Sequence, residues 1–465
     1  MVKKKTGQDI SKTFCILPWI HLSTRPSGEM RVCCTANASS VGSTQDKKHG
    51  GMVGVLKGKD GSPSNFNTTT LKEAWNSDYM KNVRQQMLAG EKPASCLKCF
   101  KEEESGYRSK RMWETDFWAQ RLELDQLVEN TNDDGSVPMY LPYIDLRFGS
   151  KCNLRCIMCS PHDSSNWVPD WNKLYPNIKN ENLKDTMQWG NKGRNHGATY
   201  NWHKNNSEFW NQLYEQIPNM KQLYFAGGEP LIIEEHYTLL EKCIEMGYAD
   251  KIQLRYNSNG TELPDRLFEL WNHFSDVRFH FSLDSIFEMN DYIRYPSKFD
   301  ELIKNLRILD ETPNNIEVTF ACAAQALNIY YLPDFIKWKL EQNFKKINIW
   351  PLGAGLINTH LVYHPAHLNV KILPKWFKDE ISEKYEHFYS YLEHNWQLSG
   401  APDKTTFLNA QYGIKRLQGL VNFMNSEDWS NRMPEFVEYI NSMDGIRNTN
   451  FRNTFPEMGR LLDEN

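Results

Sequence analysis

The chain has 465 residues and a formal net charge of −4. That length supports a large core and two or three domains. The near-balanced charge gives no reason to expect nucleic acid or an acidic membrane as the main partner, and no apolar run is long enough to span a bilayer.

The first residues, Met1 to Gln8, include three lysines but lack an apolar stretch behind them, so they do not read as a signal peptide. A cytoplasmic location is expected, and there cysteines read as metal ligands before disulfides. Eight of the ten cysteines fall in tight groups. The first group is Cys15 and Cys33, with Gly28 between them as C-x12-G-x4-C. A glycine there suits a hairpin turn, and Met30-Arg31-Val32 is compatible with a short strand. Cys34 is a fifth cysteine in this half, directly beside Cys33. The stretch 47–70, rich in Gly, Ser, Asn and Thr, has the composition of a mobile loop and no phosphate-loop pattern. Cys96 and Cys99 follow as C-x2-C. Two such pairs complete a tetrahedral zinc site or a cubane cluster equally well.

From about 143 to 352 strand and helix patterns alternate. Strands are expected at 143–148, 222–226, 251–256, 277–284, 316–322 and 346–350, with helices such as 234–246, 264–274 and 300–309 between them. Several strands show period two, as in Val277, Phe279, Phe281 and Leu283. Repeated strand–helix units imply an α/β fold with a parallel sheet. Every unusual polar cluster follows a strand. The cysteine run Cys152, Cys156, Cys159 follows the first, and Gly227-Gly228-Glu229-Pro230 follows the second. Ser258 and Asn259 follow the third, Ser282 and Asp284 end the fourth, and Gln325 follows the fifth. In a parallel α/β barrel such positions share one face, where active sites are built.

The run C-x3-C-x2-C is the most informative. Its odd number of thiols leaves one over as disulfides, but three thiolates can converge on one soft metal centre. On a cubane, three cysteines leave one iron without a protein ligand. An open metal position is a place for chemistry. Cys243, in a helical pattern, and Cys322, at a strand end, read as core packing. An insert at about 161–220 is rich in Trp (Trp167, Trp171, Trp189, Trp202, Trp210) and reads as a lid or a substrate wall. After Leu352 the chain is mostly helical, with 374–396 the clearest helix, and is expected to cover the barrel or cap its edge.

The triplet with these post-strand clusters resembles the radical S-adenosylmethionine (SAM) superfamily. The resemblance implies a partial (β/α)6 barrel at 141–352 and a 4Fe–4S cluster on Cys152, Cys156 and Cys159. It implies that the open iron holds SAM and that reductive cleavage yields a 5'-deoxyadenosyl radical. Carried over by position, Gly227, Gly228, Glu229 and Pro230 lie along the SAM amino group, Ser258 and Asn259 on the ribose side, and Ser282 at the fourth-strand polar position. Arg294 neutralises the SAM carboxylate; Gln325 and Leu352 complete the set. Met158 stands where the family usually has an aromatic residue against adenine, and a thioether can still pack on that ring.

Residues 1–140 resemble the auxiliary-cluster module called twitch, related to the SPASM domain, here placed N-terminally. Glu103, Gly106, Ser109 and Arg111 after Cys99 share the resemblance. It implies a second 4Fe–4S cluster on Cys15, Cys33, Cys96 and Cys99; the spacing to Gly28 favours Cys33 over Cys34. Relatives modify ribosomally made peptides or oxidise sugars and cyclic alcohols. A peptide or protein substrate is expected here, with a small sugar or cyclitol as the alternative, and a flavodoxin or ferredoxin as reducing partner. Readings from other classes are a non-catalytic iron–sulfur electron carrier and a zinc-stabilised binding protein.

Overall fold

Alternation along 276–282 buries Val277, Phe279 and Phe281 completely on one face and leaves Arg278 and His280 on the other. The next strand repeats the pattern, with Val318, Phe320 and Cys322 fully buried against Glu317 and Thr319 on the opposite face. Between strands, apolar residues recur at helical spacing. Leu302, Leu306 and Leu309 bury one face of Phe299–Glu311, and Leu239, Leu240 and Cys243 one face of Glu234–Glu245.

The computed structural model describes residues 6–36, 54–58, 61–188, 200–312, 315–347, 356–398 and 404–463. Among the described residues eight strands form one sheet. They are β1 (His21–Thr24), β2 (Met30–Arg31), β3 (Tyr143–Leu146), β4 (Gln222–Phe225), β5 (Gln253–Ser258), β6 (Asp276–Ser282), β7 (Ile316–Ala324) and β8 (Asn358–Leu361). Their spatial order is β2-β1-β3-β4-β5-β6-β7-β8. Only β1 and β2 pair antiparallel; every other neighbouring pair is parallel. The chain is therefore an α/β fold with a parallel sheet and helices in the connections, among them Glu234–Glu245, Asp265–Trp271, Phe299–Glu311 and Leu332–Glu341.

The expected strands from 143–148 to 316–322 correspond to β3 through β7. The expected strand 346–350 falls largely outside the described residues, as do Leu352, Trp189 and residues 47–53 and 59–60 of the 47–70 loop. Two parallel strands have no counterpart in the sequence reading. His21-Leu22-Ser23-Thr24 and Asn358-Thr359-His360-Leu361 are short and polar, with no long apolar alternation to reveal them. Pairing makes them strands: Ser23 lies opposite Asp145, and Asn358 opposite Ala321. The cost of burying polar β1 is offset locally, since the Ser23 hydroxyl donates to Asp145 at 3.0 Å. The N-terminal region is thus hydrogen-bonded into the sheet, and the sheet continues to 361, past the expected barrel end at 352.

No helix among the described residues is long and apolar enough to cross a membrane. The C-terminal helices Lys375–Leu398, Lys404–Asn425 and Met433–Arg447 follow β8. Asp170 joins the last of them to the insert. It accepts from Arg155 Nη1 at 2.7 Å and from Arg447 Nε at 2.9 Å. The Asp170 and Arg447 side chains are each under 5 % exposed. Asp170→Ala is expected to cost about 3–5 kcal/mol, because it strands buried cationic donors. Denaturant unfolding measures this; a loss below about 1 kcal/mol would show the pair to be dispensable.

Candidate functional site

Since β3 through β7 are parallel, the residues after each strand lie along one edge of the sheet. The cysteine loop leaves β3 there and is held by its backbone. Arg155 N donates to Tyr295 O at 2.8 Å, and Ile157 N to Ile293 O at 2.7 Å. The loop's carbonyls are capped by side chains from the insert and the C-terminal helix. Trp167 Nε1 donates to Cys156 O at 2.8 Å, Tyr439 OH to Ile157 O at 2.7 Å and Arg447 Nη2 to Arg155 O at 2.6 Å. Sequence reasoning found no chemistry in the C-terminal region. The support it gives the cysteine loop comes from more than 280 residues away in sequence and has no local signal.

The Gly227-Gly228-Glu229-Pro230 turn packs directly on this loop. Gly228 has φ +55°, and a Cβ there would stand 2.4 Å from Lys151 O, so no other residue fits unstrained. Glu229 N donates to Lys151 O at 2.8 Å. The Glu229 carboxylate is buried and accepts from Ser258 Oγ at 2.7 Å, Asn259 N at 2.7 Å and Leu231 N at 3.2 Å. It therefore ties the turn after β4 to the end of β5. Asn259 Nδ2 in turn donates to Asn153 Oδ1 at 2.8 Å and lies 3.9 Å from Cys152 Sγ. The structure thus brings Glu229, Ser258 and Asn259 together beside the first triplet cysteine.

Burial lifts the Glu229 pKa from 4.5 to about 7, against the pull of its three donors. The folded chain holds this proton more tightly than the unfolded one. The stability it contributes is full below about pH 4.5 and is lost as pH rises through about 7. Glu229→Gln is expected to flatten the decline in Tm between about pH 5 and 8. A variant with the wild-type pH profile would show that another group causes it.

Arg294 lies on the other side of the loop. Its Nε is 2.9 Å from Asp284 Oδ2, an ion pair without hydrogen-bond alignment. Burial opposes the charge on Arg294, but Asp284 and Cys156 outweigh it and raise its pKa. Asp284 is held by Ala323 N at 2.7 Å. Ser282 ends β6 and is partly exposed. Gln325 follows β7, is fully buried, and neither its Oε1 nor its Nε2 has a hydrogen-bond partner among the described residues. A buried amide with both ends open suits a bound polar molecule.

Cys159 and Met158 line a cavity of about 340 Å³ that also takes Trp167 and Trp171 from the insert and Tyr439 from the C-terminal helix. Trp202, by contrast, packs inward, stacking on Phe66 and donating from Nε1 to Pro26 O at 3.1 Å. Gly28, at φ +90°, faces that ring so closely that a Cβ would sit 2.7 Å from it. Cys243 and Cys322 are fully buried, and Cys322 packs beneath the site with its Sγ 3.8 Å from Asp284 O.

Cys15, Cys33, Cys96 and Cys99 line one small pocket. Cys34 does not; it lines the cavity of Cys159 instead. Burial raises the Cys15 pKa, and the neighbouring thiols Cys33, Cys96 and Cys99 raise it further. Burial likewise pushes Cys96 to about 12. Four such thiolates are stable together only around a bound cation. Four cysteines around one pocket supply a ligand set that suits a tetrahedral zinc ion or a cubane cluster. Arg111 borders the pocket, donating to Glu103 at 2.5 and 3.0 Å and to Phe14 O at 2.8 Å. Ser109 donates to the same carboxylate.

Residues 146–321 match the family described as the Radical SAM superfamily. The matched stretch, from the end of β3 into β7, is similar to the domain of that family, whose enzymes use a 4Fe–4S cluster and SAM. No curated protein matches the chain. Solved structures similar to it include Streptococcus suis SuiB bound to the precursor peptide SuiA, at 14% identity, 51% of this chain, 47% of that chain and a TM-score of 0.27. SuiB bound to S-adenosylmethionine gives 13% identity, 59% and 55% coverage and a TM-score of 0.28. The chain spans about half the length of these structures.

Proposed function

We propose that the chain is a radical SAM enzyme with two 4Fe–4S clusters. One is held by Cys152, Cys156 and Cys159, the other by Cys15, Cys33, Cys96 and Cys99. When bound, the first cluster and SAM supply a 5'-deoxyadenosyl radical that takes hydrogen from a substrate. The observation that carries this reading is the placement of the triplet. Its Cys159 opens on a cavity, while Glu229 and Asn259 lie on the side of Cys152 and Arg294 on that of Cys156. An electron carrier has no need of such a cavity.

In this reading the sheet is a partial barrel of the radical SAM type. Glu229, with the carbonyls of the Gly227-Gly228 turn, receives the SAM ammonium, and Arg294 its carboxylate. Ser258 and Asn259 face the ribose, Met158 the adenine, and Ser282 and Gln325 supply further polar contacts. The N-terminal residues form a twitch-type module. Its cluster, with four cysteine ligands, accepts an electron from the substrate radical. Cys33 is the ligand, because Cys34 faces the other cavity. The Trp167 and Trp171 wall favours a peptide or protein substrate over a small sugar or cyclitol. A flavodoxin or ferredoxin in the cytoplasm supplies electrons.

The test is iron and sulfide content of the anaerobically reconstituted protein, measured alongside SAM cleavage with dithionite. Iron-dependent release of 5'-deoxyadenosine and methionine is expected. Iron binding without cleavage would leave the electron carrier, and zinc without iron the binding protein.

A further inference from the structure

The polar faces of β4 to β8 are not packed solid. Arg255, His280 and Thr319 turn inward and border a second cavity of about 270 Å³. It adjoins the cavity of Cys159: Cys34, Lys98, Arg147, His360 and Leu361 face both. Nine arginine and lysine side chains line the two cavities against four carboxylates. Several of these cations have acidic neighbours, and deeper in the second cavity Lys110 and Arg255 both bind Glu114. At the junction the neutralisation is looser. Lys98 Nζ stands 3.7 Å from Glu102, and Arg147 Nε 3.5 Å from Asp145. Among the described residues Arg31 makes no close ion pair, and Asp145 acts on it only at longer range; its guanidinium donates to the carbonyls of Cys34 and Thr24. Arg31 is 8 % exposed, and the Nε atoms of both Arg31 and Arg147 have no hydrogen-bond acceptor among the described residues. Buried cationic donors left open in a cavity wall are costly unless an acceptor arrives.

We propose that this junction binds an oxyanion of the substrate, a carboxylate or a phosphate, between Arg31, Arg147 and Lys98. The proposal rests on the reading of the chain as a radical SAM enzyme, and it names the substrate's chemical class. The anion would sit beside Cys34 and hold the rest of the substrate in the cavity of Cys159. Guanidinium forks suit either oxyanion geometrically.

Cys34 supplies the reporter. In the reconstituted full chain, its alkylation is measured by peptide mass spectrometry with iodoacetate and with its neutral counterpart iodoacetamide. Free cysteine measured alongside gives the reference ratio. The iodoacetate-to-iodoacetamide ratio at Cys34 is expected to exceed that reference by about tenfold, because a cationic cleft concentrates the anionic reagent. Arg147→Gln and, as a second variant, Lys98→Gln should return the ratio towards the reference. The surface variant Lys337→Gln should not. Circular dichroism confirms that each variant is folded. Glutarate and inorganic phosphate are then added as protectants. Protection by glutarate assigns a carboxylate, and protection by phosphate a phosphate. A reference ratio at Cys34, no reaction there with either reagent, or protection by neither anion would overturn the proposal. So would loss of the preference on saturation with SAM alone, which would give these cations to SAM's own carboxylate. Failure of SAM cleavage is read separately: it removes the enzyme reading, while the labelling ratio still reports the anion site.

Discussion

Replacing Cys156 by alanine is expected to abolish formation of 5'-deoxyadenosine from SAM by the reduced protein. A cluster held by three cysteines loses a corner ligand in this variant. The structure makes the test clean. The loop around Cys156 is held through main-chain atoms, by Trp167 at its carbonyl and by Ile293 and Tyr295 on either side. None of these bonds uses the thiol, so the variant should keep its fold and its far-ultraviolet circular dichroism. Product is measured by chromatography after reduction with dithionite. Cleavage at the wild-type level would reject the assignment of the triplet.

The second large effect concerns the N-terminal cysteines. Replacing Cys96 and Cys99 together is expected to remove about four irons per chain, the content of one cubane. These two and Cys15 and Cys33 face one pocket, and no other cysteine faces it. SAM cleavage without substrate should persist, since Cys152, Cys156 and Cys159 are untouched, while conversion of the true substrate should fail. Unchanged iron content would show that the pocket holds zinc or nothing. A spectral change of this cluster on adding substrate would instead indicate an open iron and direct substrate contact.

Much of the candidate site was legible because its chemistry is local. The spacing of Cys152, Cys156 and Cys159 is a property of one loop. The turns after β4 and β5 announced themselves as polar residues closing apolar alternation, and parallel strands then put them on one edge. Helix faces such as that of Leu302, Leu306 and Leu309 followed from period alone. Glu229 was legible as a site residue, but not as the tie between two loops, because its partners Ser258 and Asn259 lie 29 and 30 residues away.

The sequence by itself determined the α/β character, the strands β3 to β7 and the cysteine groups, because periodicity and spacing act over a few residues. Only the tertiary structure decided that β1 and β8 join the sheet, since their polar sequences become strands through pairing with β3 and β7. It also turned Cys33 and Cys34 to different cavities. Residues 33–36 form a turn, closed by Ala36 N donating to Cys33 O at 3.2 Å, so the two adjacent side chains diverge, and which of them meets the other cysteines depends on where residues 96–99 pack. The cationic junction has the same origin. Arg31, Lys98 and Arg147 come from distant parts of the chain, and their charges meet only when the sheet brings them to one cavity wall.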